Sequence, residues 1–186
     1  MRSLFTVHAG EFLAGEFIER HYSNTRVWIP SKDTGIDLLV TDKRNRSSVS
    51  FQVKFSRDFF VSNFAATFEV QLRACGWWTF DREKLRTSTA DLWALVLIGF
   101  ANRTNDFIII PPKELYRRLD ALHPKEKRLQ TYLWVTESAQ CWETRGLRRE
   151  DRSLVAKSKF ANATRNFSRY LNDWRSVARL DSQRRQ

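Results

Sequence analysis

A chain of 186 residues with 42% hydrophobic residues can bury one good core, so a single domain is the expectation. Lys and Arg number 32 against 21 Asp and Glu, a net charge of +11 that argues for a polyanionic partner or an anionic surface but for no particular fold. No apolar run is long enough to span a membrane, the start MRSLFTVHAGEFLAGEF acquires acids early and lacks a signal-peptide core, and Cys75 and Cys141 form neither a CxxC pair nor a zinc spacing, so a cytoplasmic protein with free thiols and a nucleic-acid partner is the working class.

The chain opens with an expected helix over roughly His8 to His21, where Phe12, Phe17 and Ile18 give an apolar side and Ala14 and Gly15 allow close approach. Glu11 and Glu16 lie five apart and do not share a face cleanly, so only one of them can look toward a common site. A short strand, Arg26 to Ile29, is stopped by Pro30, and SKDTG turns the chain into the next strand. That strand, Ile36 to Thr41, and the following one, Val49 to Phe55, are rich in β-branched and aromatic residues and read as a hairpin joined by a basic, serine-rich turn. Side chains alternate along a strand, so Phe51, Val53 and Phe55 point toward a core while Gln52 and Lys54 point the other way together.

From Arg57 to Thr89 the pattern is less regular, with Phe59, Phe60, Phe64, Phe68, Trp77, Trp78 and Phe80 scattered through it and helical pieces expected near Phe68 to Ala74 and Arg82 to Arg86. The run LWALVLIGF (Leu92 to Phe100) is apolar throughout, as in a strand buried on both faces, and FIII (Phe107 to Ile110) is a further strand. Pro112 opens a helix carrying Leu115, Leu119 and Leu122. Strands at Thr131 to Thr136 and around Gln140 to Glu143 follow. The C-terminal part reads as helical and basic, with Phe167, Leu171, Trp174 and Val177 at helical spacing, and residues 181–186 as a loose polar tail after one α/β domain over 1–180.

A carboxamide and an ammonium side by side in mid-chain call for a polar neighbour, and Asp37 at the start of the preceding strand is the obvious one. Metal-assisted phosphodiester cleavage needs oxygen ligands with open positions for water and phosphate. Asp37 supplies a carboxylate, Gln52 a neutral carbonyl oxygen, Val53 a backbone carbonyl, and Glu11 a second acid that could hold a metal-bound water or a second ion. Lys54 would stand beside the attacking water and offset charge building on the phosphate.

Helix-borne Glu11, then GID at Gly35 to Asp37, then QVK at Gln52 to Lys54 resembles the PD-(D/E)xK nuclease superfamily, which includes many restriction endonucleases and Holliday-junction resolvases. The resemblance covers roughly Val7 to Ile110, and HAGEFLAGEFIERHY, VWIPSKDTGIDLLVTD, FQVKFSRDF and GWWTF…DLWALVL look like segments of small bacterial proteins of this type. It implies a restriction-endonuclease-like core, a mixed β-sheet flanked by helices in α-β-β-β-α-β order, with Mg²⁺ as cofactor (Mn²⁺ able to substitute), DNA as the favoured nucleic acid, and a homodimer. Asp37 matches the metal Asp, Gln52 the (D/E) position, Lys54 the lysine and Glu11 the helix-borne acid; the departure is Gln52, which lowers the negative charge of the site.

Each residue also has a plainer reading. Asp37 beside a glycine can form an Asx-turn before a strand. Glu11 can be a solvated helix residue, with Glu16 its rival, while Asp33, Asp42 and Asp58 read as turn or loop acids. His8, His21 and His123 have no spacing partner for ligation. Lys43, Arg44, Arg46, Ser56 and Arg57 are candidate phosphate contacts, or a solvated turn and a strand end. Arg165, Arg169 and Arg175 line a DNA-contacting helix or an exposed face, and Trp77 and Trp78 stack on bases or belong to the core, with core favoured for at least one. Three functions follow in order: a metal-dependent endonuclease, a nucleic-acid-binding module of the same fold without turnover, and an interaction subunit of a defence or repair assembly.

Overall fold

The structure, a computed structural model, describes residues 8–32, 34–56, 71–99 and 104–182. Helix α1 (Ala9–His21) leads into β1 (Thr25–Trp28), β2 (Leu38–Asp42) and β3 (Ser48–Ser56). After these come β4 (Leu72–Asp81), the short helix α2 (Arg82–Arg86), β5 (Leu92–Ile98), β6 (Asn105–Ile110) and α3 (Pro112–Leu122). The chain continues through β7 (Arg128–Thr136), β8 (Cys141–Glu143), α4 (Arg149–Ala156), a 3-10 turn at Ser168–Tyr170 and α5 (Arg175–Ser182).

The protein is mixed α/β. Its main sheet has the order β1-β2-β3-β5-β6, in which β3 and β5 run parallel and the other neighbours antiparallel. A parallel pair needs a long crossover, and here the crossover carries β4 and α2. β4 does not join the main sheet but pairs with β7, and β7 with β8, in a second, antiparallel sheet.

The apolar run of β5 is explained by this placement. Trp93, Leu95 and Leu97 belong to a core shared with the second sheet and α3, whereas Ala94 and Val96 face a core shared with α1 and α5. On the α1 side, Gly10 lets the helix approach β3 closely, because a Cβ there would lie 2.8 Å from that of Phe55 and 3.3 Å from Val53 Cγ1. Trp174 closes the same side, its ring 5.0 Å from Phe17 and 5.1 Å from Phe107. On the other side Phe80 meets Trp93 edge to face at 5.3 Å, the geometry that ring quadrupoles favour. The two sheets are locked together by Arg73, whose guanidinium donates to both oxygens of the buried Asp106 carboxylate at 2.9 and 2.7 Å.

Four expectations change. The segment from Leu72 onward is strand, not the end of a Phe68 to Ala74 helix, because pairing with β7 from Leu72 to Asp81 satisfies its backbone; Phe68 itself lies outside the described residues. The C-terminal helical spacing is broken: Phe167 precedes a 3-10 turn and only Val177 of the four spaced residues lies within α5. The break falls at Asn172, which has φ +53° and clasps the edge of β6, its N–H donating to Phe107 O at 2.6 Å and its Oδ1 accepting from Phe107 N at 2.8 Å. The tail also begins later than expected, since Asp181 and Ser182 finish α5 and Asp181 Oδ1 accepts from Asn24 N at 2.7 Å. In element order, β4 intervenes between the third strand and the next helix, and the sequence reading did not foresee its separate sheet.

Candidate active site

Gly35, at φ +82°, turns the chain into the hairpin in a conformation that costs a glycine little. Asp37 follows, its backbone N–H donating to Phe51 O at 2.8 Å, just beyond the last ladder pair, Leu38 with Phe51. Its buried carboxylate accepts the backbone N–H of Val53 at 2.7 Å through Oδ2, and Lys54 Nζ lies 3.9 Å from the same oxygen. Lys54 also stands 5.7 Å from the centroid of the Trp93 ring, so the ammonium is held between a carboxylate and an aromatic face.

Gln52 and Lys54 share a strand face, as alternation requires, and both line a cleft of about 700 Å³. The opposite wall comes from the end of β4 and its continuation: Thr79, Phe80, Asp81, Lys84, the hydroxyl run Thr87, Ser88 and Thr89, and Arg128 at the start of β7. Three cations, Lys54, Lys84 and Arg128, therefore face one carboxylate, Asp81. That carboxylate is engaged, since Asp81 Oδ1 caps α2 by accepting from Lys84 N at 2.9 Å. A cleft with this charge balance and a wall of hydroxyls suits an oxyanion such as a phosphate.

The other expected site residues are placed differently. Glu11 is buried in the first turn of α1 and its Oε2 accepts from His8 N at 3.2 Å, closing the helix N-terminus; α1 packs on the face of the main sheet opposite Gln52 and Lys54, and Glu11 does not line the cleft. Lys43, Arg44 and Arg46 are exposed in the turn between β2 and β3, at the other end of the hairpin from Asp37 and about 15 Å or more along the strands. That turn is shaped by Asp42, whose Oδ1 accepts from the N–H groups of Arg44 and Arg46 at 3.1 and 2.9 Å. Ser56, the candidate phosphate contact or strand end, is buried and its Oγ accepts from Trp77 N at 2.9 Å, joining the end of β3 to β4. Arg57, Asp33 and Asp58 lie outside the described residues. Arg165 and Arg175 serve ion pairs, with buried Glu143 and with Asp173, rather than a common helix face.

Sequence reading missed Lys84, Arg128 and the Thr87 to Thr89 run, which reach the cleft only because the second sheet folds back over the first. The one local signal was three hydroxyl residues in succession before an apolar strand.

Whether the donor set suits a metal turns on its chemistry. Asp37, the Gln52 side-chain carbonyl and the Val53 backbone carbonyl are all oxygen donors, the type that hard cations such as Mg²⁺ prefer, and Mg²⁺ commonly relies on one or two carboxylates completed by waters and substrate phosphates. Among the described residues no three His, Cys, Asp or Glu side chains form a group able to hold a metal ion, so a cation here would depend on neutral oxygens beside Asp37. Both thiols are free and buried, and burial pushes Cys141 far above the usual thiol range, which removes it as a nucleophile. No helix among the described residues is long and apolar enough to cross a membrane.

Comparison of the chain with protein-family models, with curated proteins and with solved structures finds no match.

Proposed function

We propose that this protein is a metal-dependent nuclease that hydrolyses phosphodiester bonds, with DNA as the favoured substrate, on a restriction-endonuclease-like core. The observation that carries the reading is the Asp37–Lys54 pair, 3.9 Å apart and fixed by Val53 N–H, on a hairpin whose second strand runs parallel to β5 beside a cationic cleft. A structural ion pair alone would not require Gln52 and Lys54 to open together into a cleft that also gathers Lys84 and Arg128.

In the reaction, Lys84 and Arg128 hold the non-bridging oxygens of the phosphate and the hydroxyls of Ser88 and Thr89 add hydrogen bonds, that of Thr87 being spent on Glu83 O. Water attacks phosphorus, one P–O ester bond breaks, and the departing oxygen takes up a proton. Lys54 stabilises the charge that grows on the phosphate, and Asp37 holds the ammonium in place. Asp37, Gln52 and Val53 offer the oxygens for Mg²⁺, which when bound supplies Lewis-acid stabilisation and lowers the pKa of water. Glu11 stays outside the cleft and closes the N-terminus of α1 by accepting from His8 N–H.

A second reading, a binding module without turnover, is favoured by one observation: Gln52 stands where an acid would complete the ligand set, and no three-acid group exists among the described residues. The test is a cleavage panel of plasmid, linear duplex, single strand and four-way junction with Mg²⁺ or Mn²⁺. Cutting that requires metal and vanishes in Lys54→Ala and Asp37→Asn supports the nuclease. Salt-dependent binding with no cutting by the wild-type protein supports the module, and absence of both overturns the two readings together.

A further inference from the structure

Five of the seven tryptophans, Trp78, Trp93, Trp134, Trp142 and Trp174, are no more than 5% exposed, whereas Trp28 on β1 keeps 46% of its surface in solvent. Val27 pairs with Val40 and faces the core under α1, so alternation turns Arg26 and Trp28 to the other face of the main sheet. Trp28 pairs with Leu39, and Leu39 with Ser50, which shares its side of β3 with Gln52. Trp28 and Gln52 therefore stand on one face, about 12 Å apart by two strand spacings and one two-residue step.

The Trp28 ring is tethered. Its Nε1–H donates to Thr41 Oγ1 at 3.1 Å, and Thr41 Oγ1 donates to Asn45 Oδ1 at 2.8 Å. Thr41 is the ladder partner of Arg26, so the indole is drawn across β2 toward the turn that leads to β3. Thr41 is buried, which fits a ring lying over it with its other side open. Asn45, at φ +53°, belongs to the turn that carries the exposed Lys43, Arg44 and Arg46, and Asp42 fixes the same turn by accepting from the N–H groups of Arg44 and Arg46. One relay of hydrogen bonds thus holds an aromatic face beside a basic turn.

Arg26 adds an exposed cation next to Trp28 on the same face. Among the described residues, Arg26, Lys43 and Arg46 enter no ion pair, and the nearby Asp42 carboxylate is buried. A fixed π-face suits a planar ring, and uncompensated cations around it suit repeated anions; a nucleic-acid strand carries both. A duplex keeps its base faces stacked on each other, whereas a single strand offers a π-face at every nucleotide.

We propose that Trp28 is a stacking platform for an unpaired base of single-stranded nucleic acid, with Arg26, Lys43 and Arg46 receiving the phosphates on either side of that base. The platform gives a role to the basic turn, which lies too far from Asp37 to touch the phosphate that is cut. It rests on nucleic acid being the partner, but not on turnover.

The test is fluorescence anisotropy of labelled oligo-dT and oligo-U, with a duplex of equal length and inorganic polyphosphate for comparison, all in EDTA so that nothing is cut. Single strands bind more tightly than the duplex, and Trp28→Ala weakens that binding about ten-fold, the order of one base–aromatic stack. Trp28→Phe keeps most of the affinity, and polyphosphate binds the wild type and both Trp28 variants alike. Arg26→Gln lowers the slope of log affinity against log salt by about 0.7, the share of one phosphate contact on a single strand. The two oligonucleotides distinguish DNA from RNA as the strand received. Thermal melting checks the fold of each variant; where Trp28→Ala does not fold, Trp28→Leu, which keeps an apolar cover over Thr41, takes its place. Equal affinity of wild type and Trp28→Ala for single strands, tighter binding of duplex, or an unchanged salt slope in Arg26→Gln overturns the platform. So does a wild type that binds no strand but associates with itself, seen in sedimentation at rising concentration and lost in Trp28→Ala. Trp28-dependent binding in a protein that cuts nothing leaves the platform and removes the nuclease, while metal-dependent cleavage with single-strand affinity indifferent to Trp28 does the reverse.

Discussion

Asp37 Oδ2 accepts the backbone N–H of Val53 at 2.7 Å while standing 3.9 Å from Lys54 Nζ, so one oxygen serves both the strand that carries the lysine and the lysine itself. The two partners are unequal. The Asp37 side chain is 3% exposed and the Lys54 side chain 34%, so the carboxylate is a buried acceptor and the lysine is partly in solvent.

Removing each partner should therefore have opposite balances of stability and activity. Asp37→Ala strands a backbone donor in a buried place and should cost about 1–3 kcal/mol in urea unfolding. Lys54→Ala breaks a partly solvated pair and should cost less than about 1 kcal/mol. Both should reduce cleavage by about 100-fold or more, because each removes a group acting where charge develops. A Lys54→Ala protein that is fully folded and still cuts at the wild-type rate would remove Lys54 from the chemistry.

Gln52→Glu tests the weak point of the site. Replacing the neutral oxygen with a carboxylate adds a charged ligand beside Asp37, and hard cations respond strongly to ligand charge. The concentration of Mg²⁺ giving half-maximal cleavage should fall about ten-fold. Cleavage that shows no change in its Mg²⁺ requirement would place the cation elsewhere.

Much of this was legible along the chain because it depends on local periodicity. The hairpin, the shared face of Gln52 and Lys54, the buried strand Leu92 to Ile98 and the Pro112 helix all follow from alternation and helical spacing, and the structure places them close to where the pattern did. What was not legible is what depends on long-range pairing. Trp77 and Trp78 look alike in sequence, and only the ladder of β4 with β7, together with the space above Gly76, decides that Trp78 goes in and Trp77 out. Lys84 and Arg128 are 44 positions apart and gain meaning from the fold-back of the second sheet. The spacing of Phe167, Leu171 and Trp174 suggested a helix because all three are buried or nearly so, but they reach the core from a 3-10 turn and a loop pinned by Asn172.

The two glycines of α1 should respond in opposite directions to the same substitution. At Gly10 a methyl would meet Phe55 Cβ at 2.8 Å, a backbone-proximal atom that cannot swing aside, so Gly10→Ala must push α1 off β3. Overpacking of this kind costs about 1–3 kcal/mol, more than the ~1 kcal/mol that alanine gains over glycine in a helix. At Gly15 the nearest atom is Val27 Cγ1 at 3.7 Å, an ordinary contact, so Gly15→Ala should keep the propensity gain and stabilise the protein. Urea midpoints of the two variants, one lowered and one raised, would check the packing of α1 that seats Glu11; a raised midpoint for Gly10→Ala would mean that the helix stands farther from β3 than described.

Acid sensitivity should centre on Glu114. Hydrogen bonds from Arg117 first, then from Arg118 and Tyr170, hold its carboxyl down at about 2 from an ordinary 4.5, against the opposing effect of burial. A carboxylate depressed in the folded state contributes stability that is complete above its unfolded pKa, about 4.5, and that drains away as pH falls through that value toward about 2. Because Arg117 is largely exposed, solvent screening reduces the contribution to about 1 kcal/mol. The nearly buried Arg118 makes the loss consequential. Its guanidinium also donates to the carbonyls of Ala163, Thr164 and Asn166 at 3.0, 2.9 and 2.9 Å, and it lies 5.3 Å from the Phe167 and Tyr170 rings. Protonating Glu114 leaves that cation without its counter-charge beneath the segment that pins β8 and the 3-10 turn. Glu114→Gln should lower the urea midpoint at about pH 6 and flatten the fall in stability between about pH 4.5 and pH 2. A variant that keeps the full wild-type acid slope would assign that slope to another carboxylate.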